Sequence, residues 1–198
     1  MEKFLSLIVT AGNVDTADYV GFTFFVGCMA MMAASAFFFL SMNSHDNKWR
    51  TSILVSGLIT FIAAVHYWYM REYWLENATS PTFFRYVDWI LTVPLMCVEF
   101  YLILKPAGAT TKMMWRLITL STIMLVAGYL GEAVYRPSAW LWGLISGIAY
   151  FVIVYDIWMG EAKKLATATG GATLSAHNML AKFVLIGWAI YPIGYMVG

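Results

Sequence analysis

Charged side chains are scarce in this sequence. Only 12% of its 198 residues are Asp, Glu, Lys or Arg, whereas 61% are hydrophobic. Soluble globular domains carry about 25% charged residues, so this composition excludes that class and makes a lipid bilayer the expected solvent. The net charge is only +1, and no cluster of Lys and Arg forms the basic face that phosphate binding requires. A nucleic-acid partner is therefore not expected.

Cysteine is also rare. Cys28 and Cys97 are the only two, and both lie inside apolar runs, where a cysteine acts as a small hydrophobic residue. Two such residues predict neither a disulfide framework nor a metal site.

Long apolar runs, in contrast, are abundant. A membrane-spanning helix needs about 20 mostly apolar residues, and six segments supply them. Turn and charge signals separate these segments, the longest separator being the Gly- and Thr-rich stretch 166–175. We therefore expect an all-α, polytopic membrane helix bundle in a single domain, 1–198, with helices near 18–42, 51–74, 82–104, 113–133, 138–160 and 176–198.

Basic residues are distributed unevenly between the two ends of these helices, and cytoplasmic ends usually carry the excess. Placing the N-terminus outside puts eight basic residues on the cytoplasmic side and four outside. The eight are Lys48, Arg50, Lys105, Lys112, Arg116, Lys163, Lys164 and Lys182, and the four are Lys3, Arg71, Arg85 and Arg136. This distribution predicts a multi-pass protein with its N-terminus outside.

The third predicted helix carries two acids, Asp88 and Glu99, although charge inside a bilayer is costly. Eleven positions separate them, which places both within about 20° of one helical face and about 16 Å apart along the axis. Thr92 and Met96 share this face. One buried acid could be a structural hydrogen-bonding group, but two in opposite halves of a bilayer are typical of stations for a proton that crosses it.

The two acids have different sequence surroundings. Arg85 lies one turn outward of Asp88, and an opposite charge at that spacing would keep Asp88 ionised. Glu99 has no basic residue within one turn, so its burial would keep it protonated at rest and able to donate. Opposite starting states are what directional proton transfer requires.

His66 lies in the middle of the second span, where an imidazole needs a polar partner. Asp88 is the partner we prefer, although a purely structural histidine is the alternative. Glu132 and Asp156 fall near helix ends and receive no role in proton transfer. Near the end of the chain, Trp188, Tyr191 and Tyr195 recur at helical spacing around Pro192, which predicts an aromatic wall that serves either packing or a ligand pocket.

Several segments together resemble the microbial rhodopsins, and most closely the proteorhodopsins. They are Arg-Tyr-Val-Asp-Trp-Ile-Leu-Thr-Val-Pro-Leu (85–95), Glu-Phe-Tyr-Leu-Ile-Leu (99–104), Gly-Tyr-Leu-Gly-Glu (128–132) and Gly-Trp-Ala-Ile-Tyr-Pro-Ile-Gly-Tyr (187–195). The resemblance covers nearly the whole chain. It implies a bacterial inner-membrane protein that is no enzyme but a light-driven ion transporter or photoreceptor, with membrane lipid and protons as partners and a homo-oligomeric assembly.

The resemblance also implies roles for individual residues. Asp88 would accept a proton from a retinal Schiff base, and Glu99 would return one from the cytoplasmic side. Arg85 and Thr92 would support Asp88, with His66 paired to it. The positions that match the retinal pocket are Trp89, Met96, Met124, Gly128, Trp188, Tyr191 and Pro192. Met96 matches the colour-tuning site, where an apolar residue is similar to the green-absorbing type.

One family feature is missing from the sequence. In the family a seventh helix carries a second aspartate and, one turn later, the lysine that binds retinal, but no Asp-x-x-x-Lys occurs here. Lys182 is the only lysine within a predicted span, at a helix end where lysines usually reach the headgroups. We therefore expect a fragment of a longer reading frame, with no retinal-attachment lysine in this chain.

Three functions are compatible with these observations. The first is an outward, light-driven proton pump, as the complete protein. The second is a sensory photoreceptor that signals to a partner, against which Glu99 argues, since a slow sensor gains nothing from a fast internal donor. The third is an inert six-helix fragment.

Overall fold

The computed structural model describes residues 18–189, and these are almost entirely helical. Five helices form an up-and-down series in which each packs against the next, followed by a short helix and a further helix that returns against the third. They are α1 (Tyr19–Ser41), α2 (Asn47–Asn77), α3 (Thr82–Leu104), α4 (Thr111–Tyr129), α5 (Ala139–Trp158), α6 (Glu161–Thr169) and α7 (Gly171–Lys182). The predicted all-α bundle is confirmed.

Five of these segments are long and apolar enough to cross a membrane within residues 18–189. Helices α1 to α5 overlap the first five predicted spans, with ends that differ by up to four residues. The sixth predicted span, 176–198, lies partly outside the described residues, and its described part consists of α7 and a π-helical turn, Phe183–Gly187. Many large apolar side chains of the described helices are exposed, as expected of surfaces that face lipid.

The stretch 166–175 is not the loop that the sequence predicts. Helix α6 continues through Thr169, and α7 begins at Gly171. Ala162 and Ala166, one turn apart on α6, are fully buried against Leu104 and Met113, so packing against the bundle end stabilises this short helix. Gly170 supplies the break, because its φ of +68° is favourable only for glycine.

Helices α1 and α2 approach closely along a narrow line of small residues. Only Gly21, Cys28 and Ser35 are buried on α1, at intervals of seven residues. The Ser35 hydroxyl donates to the Gly57 carbonyl at 3.2 Å, and the Cys28 thiol donates to the Ala64 carbonyl at 3.4 Å. Small residues and side-chain-to-backbone bonds of this kind hold membrane helices together where the hydrophobic effect cannot.

An ion cluster joins α4, α5 and α6 at the bundle end that carries most of the lysines and arginines, which we call the basic end. Asp156 Oδ2 accepts hydrogen bonds from Arg116 Nε at 3.0 Å and Nη2 at 2.5 Å, and Asp156 Oδ1 accepts from the Glu161 amide at 3.2 Å. Arg116 also donates to Glu161 Oε2 at 3.1 Å. Asp156 therefore stabilises the packing of α6 against α4 and α5.

Asp156→Ala should lower the free energy of unfolding by about 2 kcal/mol, because it removes charge-assisted hydrogen bonds and the first-turn cap of α6. Glu161→Gln is the matched control and should cost less than about 1 kcal/mol, since both side chains of its pair with Arg116 are 40% exposed and solvent screens the interaction. Unfolding in mixed detergent micelles, followed by circular dichroism, measures both variants. Equal losses of unfolding free energy in the two variants would show that Asp156 stabilises the cluster no more than Glu161 does.

Candidate functional site

The two acids predicted as proton stations lie at the centre of the bundle. Helix α3 packs against α2, α4 and α7, so its residues are covered on several sides. Asp88 is 4% exposed and Glu99 is 6% exposed. Both therefore stand in a low-dielectric interior, where each must be neutral, paired or engaged in proton transfer.

The structure brings His66 of α2 next to Asp88. His66 Nδ1 lies 3.5 Å from Asp88 Oδ1 and 2.9 Å from the Ile62 carbonyl oxygen. Because a carbonyl only accepts, Nδ1 is the ring nitrogen that carries hydrogen, and its main acceptor is Ile62. Asp88 Oδ1 is thus within ion-pair range of the imidazole but receives no hydrogen bond of normal geometry.

Thr92 and Arg85 are placed differently from each other with respect to Asp88. The Thr92 hydroxyl donates to the main-chain carbonyl of Asp88 at 2.9 Å and not to its carboxylate. Arg85 forms its ion pair with Glu132, and the described residues show no such pair between Arg85 and Asp88. The supporting role that the resemblance implies for Arg85 stays a prediction.

At the bundle end opposite the basic end, the Glu132 carboxylate accepts hydrogen bonds from more than one side chain. Besides Arg85, the Tyr86 hydroxyl donates to its Oε2 at 2.9 Å. The Arg85 guanidinium also lies 5.4 Å from the centre of the Trp89 ring. A π-helical turn, Leu130–Val134, follows α4 and carries Glu132 towards the start of α3. Helical periodicity alone gave no signal for this turn.

Glu99 has a partner that the sequence interpretation missed. The Ser52 hydroxyl on α2 donates to Glu99 Oε1, while Glu99 Oε2 is buried without a hydrogen-bond partner. A signal did exist: Ser52 and His66 are fourteen positions apart, which places them within about 40° of one face of α2. That face meets the two acids of α3 in the antiparallel order that the loop between α2 and α3 imposes.

Ser52→Ala should shift the infrared carbonyl stretch of protonated Glu99 to higher frequency, because the carbonyl loses the hydroxyl that weakens its bond. Ser41→Ala is the matched control, since its hydroxyl donates to the Phe38 carbonyl of its own helix. Infrared difference spectra between each variant and the parent give the shift. An unchanged carbonyl frequency in Ser52→Ala would contradict the contact.

Four of the predicted pocket residues fall in one apolar cluster between α3, α4, α5 and α7. Trp188 is a buried member of it, and Trp89, Met96 and Met124 pack against it. Gly128 borders the same region: a Cβ atom there would lie 3.0 Å from the Tyr86 hydroxyl, so glycine permits this close approach. The predicted pocket residues Tyr191 and Pro192 lie outside the described residues.

A family model described as bacteriorhodopsin-like protein matches residues 18–198. The chain belongs to the bacteriorhodopsin-like family. It is 43% identical over 188 residues to a green-light absorbing proteorhodopsin of Gamma-proteobacterium EBAC31A08, covering 94% of this chain and 75% of that protein. It is 42% identical over 195 residues to a blue-light absorbing proteorhodopsin of Gamma-proteobacterium Hot 75m4, covering 98% and 77%. The predicted resemblance is confirmed.

Solved structures agree with this membership. The crystal structure of a blue light-absorbing proteorhodopsin from Med12 has a TM-score of 0.77 and 40% identity, over 91% of this chain and 81% of that one. Xanthorhodopsin, described as a light-driven ion pump with dual chromophore, has a TM-score of 0.79 and 29% identity, over 90% and 78%. A protein of the bacteriorhodopsin-like family is a light-driven ion transporter or photoreceptor and not an enzyme.

Membership implies retinal, and the residues present fit it. The cluster of Trp89, Met96, Met124 and Trp188 offers apolar rings and thioethers to a polyene. At the Asp88 side, the buried Oδ1 without a hydrogen-bond donor suits a cationic partner. Lys182 does not fit as an attachment site, because its side chain is exposed at the end of α7.

Proposed function

We propose that the complete protein is a light-driven pump that exports protons, with Asp88 as proton acceptor and Glu99 as proton donor. The observation that carries this proposal is the pair of buried acids on one face of α3, each with one carboxyl oxygen lacking a hydrogen-bond partner. Such oxygens are costly in a static protein and useful in one that moves protons. The names of the proteorhodopsin relatives and the light-driven pump among the solved structures support it.

Each acid has surroundings suited to its step. Bound retinal would absorb the light and would carry a proton that it holds less strongly after illumination. Asp88 holds a negative charge within 3.5 Å of the His66 ring and takes up that proton at Oδ1. Glu99 accepts a hydrogen bond from the neutral Ser52 hydroxyl, and no ion pair joins it to a cation within residues 18–189, so it rests protonated and gives up its proton at Oε2.

The direction of transport follows from the distribution of charge. The basic end carries Lys105, Lys112, Arg116, Lys163 and Lys164, which the positive-inside rule places in the cytoplasm. Glu99 then lies on the cytoplasmic side of Asp88, so protons pass from Glu99 towards Asp88 and leave at the outside. The N-terminus is outside in this arrangement, and the bilayer is the bacterial inner membrane.

We further propose the green-absorbing form, because Met96 presents an apolar side chain within the cluster that would surround retinal. The absorption maximum of the chain joined to a family seventh helix and loaded with all-trans retinal tests this. A blue-absorbing pigment would contradict it.

Illumination of cells that express the same completed chain tests the pump directly. The medium should acidify in the light, and a protonophore should abolish the change. Alkalinisation, or no change from a pigment that is correctly formed, would reject the pump. Recovery over seconds instead of milliseconds would favour the sensory alternative.

A further inference from the structure

A third buried side chain resembles the two acids in having a polar atom without a hydrogen-bond partner. Among the buried side chains of residues 18–189, Asp88 Oδ1 and Glu99 Oε2 lack hydrogen-bond partners, and so does His177 Nδ1. His177 is 0% exposed, although it stands on α7 near the end of the bundle. The proposed pump uses the first two atoms and gives no task to the third.

The hydrogen bonding of His177 determines which of its nitrogens is available. Its Nε2 lies 2.9 Å from the Ile157 carbonyl oxygen of α5. Since the carbonyl only accepts, Nε2 carries the hydrogen in the neutral ring, and Nδ1 presents a lone pair. The imidazole is thus held in one orientation with a proton-accepting atom free.

The His177 ring lies between the Glu99 region of α3 and the basic end. The His177 ring lies 5.6 Å from the ring of Phe100, at 71°, and Phe100 directly follows Glu99 on α3. On its other side, Ile157 is the second-last residue of α5, next to the turn that leads into α6. His177 therefore contacts the residue that follows Glu99 on α3 and lies towards the basic end, where a proton for Glu99 must enter.

The charged groups around His177 are already engaged. On α5, Asp156 is paired with Arg116 of α4. On α6, Lys163 donates to Asn178 Oδ1 at 2.7 Å. On α3, Glu99 accepts from Ser52 through one oxygen only. Of the groups named here, His177 Nδ1 and Glu99 Oε2 are the polar atoms left without a hydrogen-bond partner.

We propose that His177 is the uptake station that reloads Glu99 from the cytoplasm. This inference rests on the proposed pump. Hydronium in cytoplasmic water loses a proton to His177 Nδ1, which gives an imidazolium. The Nδ1–H bond then breaks and an O–H bond forms at Oε2 of the deprotonated Glu99, directly or through bridging water, which restores the neutral ring.

His177→Gln and His177→Phe, made in the completed chain, test the proposal. Glutamine keeps an N–H for the Ile157 carbonyl but cannot carry a proton, whereas phenylalanine keeps the ring packing. Proton uptake after a flash, followed with a pH dye, should slow by about 100-fold in both variants, and added imidazole should restore part of the rate. His45→Gln is the matched control, because His45 is exposed at the same end, and it should leave uptake unchanged.

The outcomes separate this inference from the proposed pump. If the parent transports protons and His177→Gln reloads at the parent rate, the uptake role is rejected while the pump stands. If proton uptake slowed in His177→Phe but not in His177→Gln, the hydrogen bond to Ile157 would be structural, and the uptake role would again be rejected. In the dark, nitrogen NMR of the labelled histidine should show Nε2 protonated and Nδ1 unprotonated, and the opposite tautomer would overturn the proposal.

Discussion

Asp88→Asn should abolish light-driven acidification, to below about 1% of the parent rate, because asparagine has no carboxylate to take up a proton. The change is nearly isosteric, and Asp88 Oδ1 has no hydrogen-bond partner among the described residues that asparagine would lose. The main-chain bond from Thr92 stays in place. The variant should therefore fold and form a pigment, and pH-electrode recordings on illuminated cells measure the loss.

The control for this result is Asp46→Asn, which removes an exposed aspartate that forms, within residues 18–189, a single long ion pair of 3.9 Å with Lys48. It should transport at the parent rate. Robust acidification by Asp88→Asn would mean that another group accepts the proton, and the assignment of Asp88 would have to be withdrawn.

Glu99→Gln should leave the first proton movement intact and slow the recovery of the dark state by about 100-fold. Glutamine can still accept from Ser52, so packing between α2 and α3 is preserved while the transferable proton is lost. Because recovery would then depend on protons taken directly from water on the cytoplasmic side, its rate in detergent micelles should fall as the pH of the solution rises. Flash photolysis at several pH values measures both effects.

Glu76→Gln is the matched control, since Glu76 is an exposed glutamate at the far end of α2. Its recovery should match that of the parent. If Glu99→Gln recovered as fast as Glu76→Gln at every pH, Glu99 would be a structural acid and the donor would have to be sought elsewhere.

The fold could be predicted from the sequence because the bilayer imposes a simple rule of length and apolarity. That rule found the helices that became α1 to α5. It could not find α6, whose Ala162 and Ala166 are stabilised by packing on Leu104 and Met113 and not by a long apolar run. Tertiary contacts of this kind leave little trace in local composition.

The candidate site was predictable where one helix determines the geometry. The spacing of Asp88 and Glu99 on α3 is a property of helical periodicity alone. Contacts between helices were harder: Ser52 opposite Glu99, and His177 against Phe100, depend on how α2 and α7 are rotated. The pairing of Arg85 with Glu132 depends on a π-helical turn that no regular period predicts.

Time-resolved infrared difference spectroscopy of the completed chain tests the central claim most directly, because it observes the two carboxyl groups themselves. The account predicts that, after a flash, a carboxylic acid band appears for Asp88 and is lost in Asp88→Asn. A second band, lost in Glu99→Gln, should then show the deprotonation of Glu99. A photocycle in which neither carboxyl changes its protonation, or in which Glu99 gives up its proton before Asp88 gains one, would contradict the account.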